Sequence, residues 1–182
     1  SGGGSLSSFR QQVRDLLSVR ASRILLLGGL TVIVLGTAFG LYYAWAFVYH
    51  YEPERMRLIE RTFSLLSEGI LDQATRTIGD YRRITVVTAI RATVHSHAID
   101  FGTMALLTAF LQPMVFLADR WKTFWAGLLV VSALLMPICI YTATHVGLAA
   151  AALADVFGGL IMLSLSAMAF GLIRYTGARD QS

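Results

Sequence analysis

Apolar runs long enough to cross a membrane constrain the fold of this chain more than any other feature. Residues 24–49 contain no charged side chain, and three further apolar runs follow. A helix rises about 1.5 Å per residue, so about 20 apolar residues span the roughly 30 Å hydrocarbon core of a bilayer. Only helices and closed barrels satisfy their backbone groups there, and these runs are too long for barrel strands. The sequence therefore predicts an all-α integral membrane protein.

The low charge content supports this class, because only 14% of the 182 residues are charged and the mean hydropathy is +0.63. A soluble domain carries about a quarter charged residues. The pattern predicts four transmembrane helices, with an amphipathic helical outer segment between the first and second spans. The predicted divisions are a basic interfacial segment (1–23), the first span (24–50), the outer segment (51–94), and spans two to four with a short tail (95–182).

The outer segment has apolar residues at spacings of three and four, which is the pattern of one helix face. These residues are Met56, Ile59, Phe63, Leu66 and Ile70. Gly79 and Asp80 then predict a break in the chain. We expect a second helix to begin near Tyr81 and to run without interruption into the second span.

The distribution of basic residues predicts the orientation, because cytoplasmic segments carry an excess of Lys and Arg. The N-terminal segment, the loop between spans two and three, and the tail carry Arg10, Arg14, Arg20, Arg23, Arg120, Lys122, Arg174 and Arg179. We therefore expect both termini to be cytoplasmic, in a bacterial inner membrane. These flanking residues also account for the net charge of +4. The sequence has no basic patch interleaved with aromatic residues, so we expect no nucleic-acid partner.

All four histidines lie at the same end of the predicted spans: His50, His95, His97 and His145. Since the spans alternate in direction, all four imidazoles are expected near the outer membrane face. Imidazoles from different helices hold haem iron axially, or bind copper or zinc. His95, His97 and His145 are candidate haem ligands, with Arg91 as a partner for a propionate. His50, His97 and His145 are the candidate metal ligands.

The alternative is that these histidines are only interfacial polar residues at the membrane boundary. His95 and His97 project about 200° apart on a regular helix, so both cannot bind one metal ion.

Two acidic residues fall inside the apolar runs, where a carboxylate is unfavourable unless it is paired. Asp100 lies three residues after His97, on the same helix face, and is a candidate to orient its imidazole. Asp155 shares a stripe with Gly147, Ala151 and Gly159, which predicts a tightly packed interior face. A proton-relay or cofactor role is one interpretation of Asp155, and a helix-packing hydrogen bond is the other.

Residues 91–102, RATVHSHAIDFG, resemble the H-x-H-x4-G start of a helix in small membrane proteins related to haem–copper oxidase subunit I. The matching positions are His95, His97 and Gly102. The resemblance covers about a dozen residues, and it implies b-type haem binding or descent from a haem-binding bundle. The downstream histidines of the family's copper centre are missing, so oxygen reduction by this chain alone is not implied.

Two functional hypotheses follow. The first is a membrane subunit of a larger respiratory or oxidative redox complex, with haem b or copper near the outer face. The second is a cofactor-free accessory subunit that stabilises a multisubunit membrane complex. The sequence has no CxxCH, GxSxG, Walker or dinucleotide-binding motif, so catalysis by the chain alone is not expected.

Overall fold

The computed structural model describes Gln11, Arg14 and residues 17–179, and this part of the chain is all helical. Most of the predicted interfacial segment at residues 1–23 lies outside the described residues. Five α-helices follow one another. They are α1 (Arg20–Ala46), α2 (Glu52–Ser67), α3 (Leu71–Leu111), α4 (Asp119–Val146) and α5 (Leu148–Arg179).

Helices α1 and α2 form one continuous rod, because a π-helical turn at Phe47–Tyr51 joins them without a break. The rod runs over Arg20–Ser67, 48 residues, which corresponds to about 72 Å at 1.5 Å per residue. Pro53 lies two residues after this π-helical turn. Proline has no backbone N–H, so one α-helical hydrogen bond is missing at this point of the rod. The helix therefore continues beyond residue 50, and the end of the first membrane span at that residue stays a prediction.

The chain reverses at Gly69, whose φ of 75° favours glycine. Helix α3 then packs back along α2 and α1 over its 41 residues. The predicted break at Gly79–Asp80 is wrong, because both residues lie inside α3. The prediction of an uninterrupted helix into the apolar run is confirmed.

Among the described residues, three helices are long and apolar enough to cross a membrane: Arg20–Ser67, Asp119–Val146 and Leu148–Arg174. Helix α3 is not among them, and its apolar half carries the polar side chains of His95, His97 and Asp100. The membrane class is therefore supported, while a fourth crossing by α3 stays a prediction. We call the end of the bundle at which α1 and α4 finish the outer end, following the orientation expected from the arginines.

Small residues bring α1 and α3 into close contact. A Cβ on Gly29 would lie 2.7 Å from the Gly102 carbonyl oxygen, and one on Gly36 would lie 2.7 Å from the Ala98 Cβ. On its other side α1 contacts α4, with Gly28 against Val130. The core of these contacts includes the fully buried Leu25 and Leu129.

Helix α5 packs chiefly against α4. Its buried residues are Ala150, Ala154, Ile161, Ser164 and Met168. Apolar side chains on its remaining surface are exposed: Leu153, Val156, Met162, Leu163, Phe170 and Ile173. Within the described part of the chain, this helix therefore packs chiefly along one face and leaves most of its apolar surface exposed.

Candidate functional site

The helix directions bring the four histidines to the outer end of the bundle. Helices α1 and α4 run in the same direction, and Gly28 of α1 contacts Val130 of α4. His145 and Tyr43 each follow these residues by fifteen positions, so they lie at the same height in the bundle. The His95 ring packs on Gly40 of α1, so His95 lies at nearly the same height. His50 is ten residues beyond Gly40, about 15 Å further out along the helix.

His95 is held in the interface between α1 and α3. Its Nδ1 lies 2.8 Å from the carbonyl oxygen of Gly36, and because a carbonyl only accepts, Nδ1 carries the hydrogen. The ring fills the space beside Gly40, where a Cβ would collide with it. This arrangement leaves the lone pair of His95 on Nε2.

The other three imidazoles pack against aromatic rings of their own helical segments. His50 contacts Trp45 at a centroid distance of 5.1 Å, and His97 stacks on Phe101 at 5.4 Å. His145 contacts Tyr141 at 5.7 Å. Among the described residues, no three His, Cys, Asp or Glu side chains form a group that could hold a metal ion. The expected set of His50, His97 and His145 is therefore not brought together as a metal centre.

Arg91 lies at the outer end, between two tyrosine rings of other segments. Its guanidinium carbon is 5.0 Å from the centroid of the Tyr51 ring and 5.7 Å from that of Tyr141. Nη1 donates a hydrogen bond to the Tyr51 hydroxyl, while Nε is buried without a hydrogen-bond partner. We call Arg91, Tyr51 and Tyr141 the Arg91 cluster.

No carboxylate in the described part of the chain pairs with Arg91. The ion pairs seen among the described side chains are Arg55 with Glu52 at 2.9 Å and Arg57 with Glu54 at 2.7 Å. Both lie within α2. Among the described residues, Arg91 therefore has no carboxylate oxygen within ion-pair distance, which is unusual for a partly buried guanidinium.

A second arginine–tyrosine contact joins α2 to α3 beyond the Arg91 cluster. Arg55 donates to the Tyr81 hydroxyl at 3.3 Å, and its guanidinium carbon lies 5.6 Å from the centroid of the Tyr81 ring. This hydrogen bond lowers the pKa of Tyr81 from its ordinary value of 10.0. The contact fixes the register of the two helices near the outer end.

An apolar cleft of about 410 Å³ opens between α1, α3 and α4 directly below the Arg91 cluster. Its walls include Leu35, Phe39, Tyr42, Leu134, Ile138 and Tyr141. Tyr141 belongs to both features, since it lines the cleft and also carries the Arg91 guanidinium over its ring. The volume falls within the roughly 300–1,000 Å³ of small-molecule sites.

Sequence reasoning identified Arg91 but missed the cleft. The signal was present as small residues on three different helices, Gly36, Ala98 and Ala133, all of which line the space. Those residues become informative only when the order of the helices around the bundle is known.

Both acids that fall inside the apolar runs of the sequence have exposed side chains. Asp100 points away from the bundle, and no hydrogen bond links it to His97 in the described structure. Asp155 is exposed on α5, and a Cβ on its neighbour Gly159 would meet nothing within 4 Å. The expectation that Asp155 lies on a packed interior face is therefore wrong. The packed face is the adjacent stripe of Ala150 and Ala154.

No known family model, curated protein or solved structure matches this chain. The resemblance of residues 91–102 to oxidase-related helices stays a prediction that rests on those residues alone.

Proposed function

We propose that this chain is a membrane subunit that stabilises a larger membrane complex, with its partner seated on the outward face of α5. The observation that carries the proposal is the exposed carboxylate of Asp155 in a helix apolar enough to span a membrane. It lies eight residues after Gly147, or about 12 Å below the turn between α4 and α5. An acidic side chain at such a depth normally faces a protein partner, because lipid offers it no hydrogen-bond donor.

The neighbours of Asp155 suit a helix contact. Ala151 and Gly159 lie four residues to either side and share its helix face, and small residues let a second helix approach closely. The partner helix would supply a basic or hydroxyl side chain at matching depth. Pairing two copies of this chain through Asp155 is less favourable, because it would bring two carboxylates together.

The proposal includes a fourth crossing by α3. What supports it is the close packing of Gly102 on Gly29 and of Ala98 on Gly36, which keeps the apolar half of α3 beside α1 over its length. If α1 crosses the bilayer, that half of α3 lies within it too. The arginine distribution then keeps both termini on the cytoplasmic side of a bacterial inner membrane.

Replacement of Asp155 tests the subunit function. In native membranes solubilised with mild detergent, we expect the wild-type chain to migrate on native gels in an assembly much larger than its 19.9 kDa. Asp155→Leu should release it while membrane insertion remains normal, and Asp155→Glu should retain the assembly because the carboxylate is preserved. Leu153→Met, an exposed position on the opposite face of the same helix, is the matched control. Unchanged migration of the Asp155→Leu variant would contradict the proposal.

A second candidate, haem binding by a redox subunit, is favoured by the geometry of His95. Metal-bound histidines commonly donate one ring N–H to a backbone carbonyl, as His95 does to Gly36, and the other nitrogen is then free to ligate. Arg91, which has no carboxylate partner among the described residues, would suit a propionate. A bound b-type haem would supply one-electron transfer. A copper site at His50, His97 and His145 lacks comparable support.

Absorption spectra of the purified protein distinguish the two candidates. A haem subunit should show a Soret band that is lost in His95→Ala and in the variant of its second ligand, His97→Ala or His145→Ala. His50→Ala should keep the band, because this ring lies about 15 Å further out. A colourless protein that still assembles through Asp155 would leave only the accessory function.

A further inference from the structure

We propose that the cleft between α1, α3 and α4 binds one acyl chain of an anionic phospholipid, whose phosphate is held at the Arg91 cluster. The proposal concerns a different surface from the outward face of α5, and it does not depend on the partner proposed there, although it rests on the crossing of the membrane by α3. It rests on the shape and depth of the cleft, its opening, and the unbalanced charge at its outer end.

The length of the cleft matches one leaflet of a bilayer. Its lining on α1 extends from Val32 to Tyr42, and the ten helical steps between them span about 15 Å at 1.5 Å per residue. That distance is half of the roughly 30 Å hydrocarbon thickness. An acyl chain of the outer leaflet would therefore fill the cleft from the interfacial tyrosines to the middle of the membrane.

The cleft is open to the surroundings of the bundle and is almost entirely apolar. Leu35, Tyr42 and Ile138 line it and are each about half exposed, at 51%, 55% and 50%. Since α1 and α4 are both apolar enough to span the membrane, this opening faces the hydrocarbon of the bilayer. A lipid chain can enter from the side, without passage through the protein.

The outer end of the cleft carries the charge that a lipid headgroup requires. Arg91 precedes the cleft residue Val94 by three positions, and so lies on the same helix face about 4.5 Å further out. Its guanidinium rests on Tyr141, which also lines the cleft. Tyrosines at this level are typical of the membrane–water interface, where phosphates lie.

The chemistry at Arg91 favours an anion over a neutral ligand. No acidic side chain of the described residues pairs with this guanidinium, and a partly buried cation without a counter-ion is unfavourable. Arginine binds phosphate through charge-assisted hydrogen bonds in a planar fork. An anionic lipid would pair with the Arg91 guanidinium and also fill the apolar cleft with an acyl chain. A free phosphate would pair with the guanidinium and leave the cleft empty.

Photolabelling of the full chain tests the site. The protein is placed in phosphatidylcholine nanodiscs that contain a small fraction of phosphatidylglycerol with a photoreactive group in its acyl chain. A diacylglycerol with the same reactive chain, which has no phosphate, serves as the neutral probe. We expect the anionic probe to label peptides covering residues 32–42 and 133–141 roughly tenfold more than the neutral probe, the ratio for one charge-assisted hydrogen bond.

Variants separate the two parts of the site. Arg91→Gln should reduce anionic labelling to the neutral level, Arg91→Lys should retain part of the preference, and Arg174→Gln is the control, because Arg174 also lies over an aromatic ring but at the other end of the bundle. Ile138→Trp should block the cleft and reduce labelling by both probes. Val131→Trp, equally exposed on the same helix but outside the cleft, should not.

Equal labelling by the two probes in the wild type would overturn the proposal. So would an anionic preference that survives Arg91→Gln, or cleft labelling that Ile138→Trp leaves unchanged. Because Ile138 is half exposed, that variant should still fold and gives a result even if the Arg91 variants do not.

Discussion

Single glycines decide how closely the helices approach. Gly36 and Gly40 lie on the face of α1 that receives α3, and the His95 imidazole occupies the space that a side chain at Gly40 would need. The same imidazole is fixed by its hydrogen bond to Gly36. The GxxxG spacing in α1 therefore accommodates a histidine of a neighbouring helix, in addition to the backbone contact usual for this motif.

Substitution of Gly40 should destabilise the protein, because a new side chain would collide with the His95 ring. We expect Gly40→Val to lower the free energy of unfolding by about 1–3 kcal/mol, as overpacking does in other cores. Gly79→Ala is the matched control: its Cβ would meet nothing within 4 Å inside α3, and it should stabilise by about 0.5–1 kcal/mol. Thermal unfolding in detergent measures both, and a Gly40→Val protein as stable as the wild type would contradict the packing described.

The wrong expectation for the helix face of Asp155 has a physical cause. On α5, Ala150 and Ala154 form a stripe of small residues as suitable for packing as that of Ala151, Asp155 and Gly159. The sequence does not distinguish the two faces, because the choice depends on where α4 lies. The membrane class, by contrast, follows from run length alone and needed no tertiary information.

At the scale of elements, the projecting hairpin of α2 and α3 differs most from expectation. The predicted stripe on α2 is largely exposed, with Met56 at 49% and Phe63 at 69%. The residues packed against α3 are instead Leu58 and Leu65, at 7% and 8% exposure. Both sets recur at helical spacing, so periodicity identified a helix but not its buried face.

Alanine substitutions in α2 should separate the two faces. Leu58→Ala and Leu65→Ala remove buried side chains, and each should destabilise the hairpin by about 2–3 kcal/mol. Met56→Ala and Phe63→Ala remove exposed ones and should change stability by less than about 0.5 kcal/mol. Hydrogen exchange of α2 amides reports the difference. Equal effects on the two faces would mean that α2 packs differently, or that a partner covers Phe63.

Hairpin position was equally hard to predict. Gly69 and Gly79 are both reasonable sites for a turn, because glycine adopts the positive φ that many turns require. The chain reverses at Gly69, which has a positive φ, whereas Gly79 lies inside the 41-residue α3. Helix α3 then packs along both α2 and α1, and contacts between such distant segments cannot be read from the local sequence.

At the scale of the whole molecule, we propose that α3 returns through the membrane beside α1. The hairpin tip near Ser67 and the turn at Gly147 then lie on one side of the membrane. The connection between α3 and α4, which contains Phe116, lies on the other side. The His95 interface, the cleft and the α5 face all take their depths from this arrangement. If α3 did not cross, the connection would lie on the same side as the hairpin tip.

Cysteine labelling in intact cells tests this arrangement most directly. Cys139 is the single cysteine, so a Cys139→Ala background carries one new cysteine at a time, from Ser67→Cys, Val146→Cys or Phe116→Cys. A membrane-impermeant maleimide should label the first two from outside and the third only after the membrane is permeabilised. Labelling of Phe116→Cys from the same side as Ser67→Cys would contradict the crossing of α3 and the depths assigned from it.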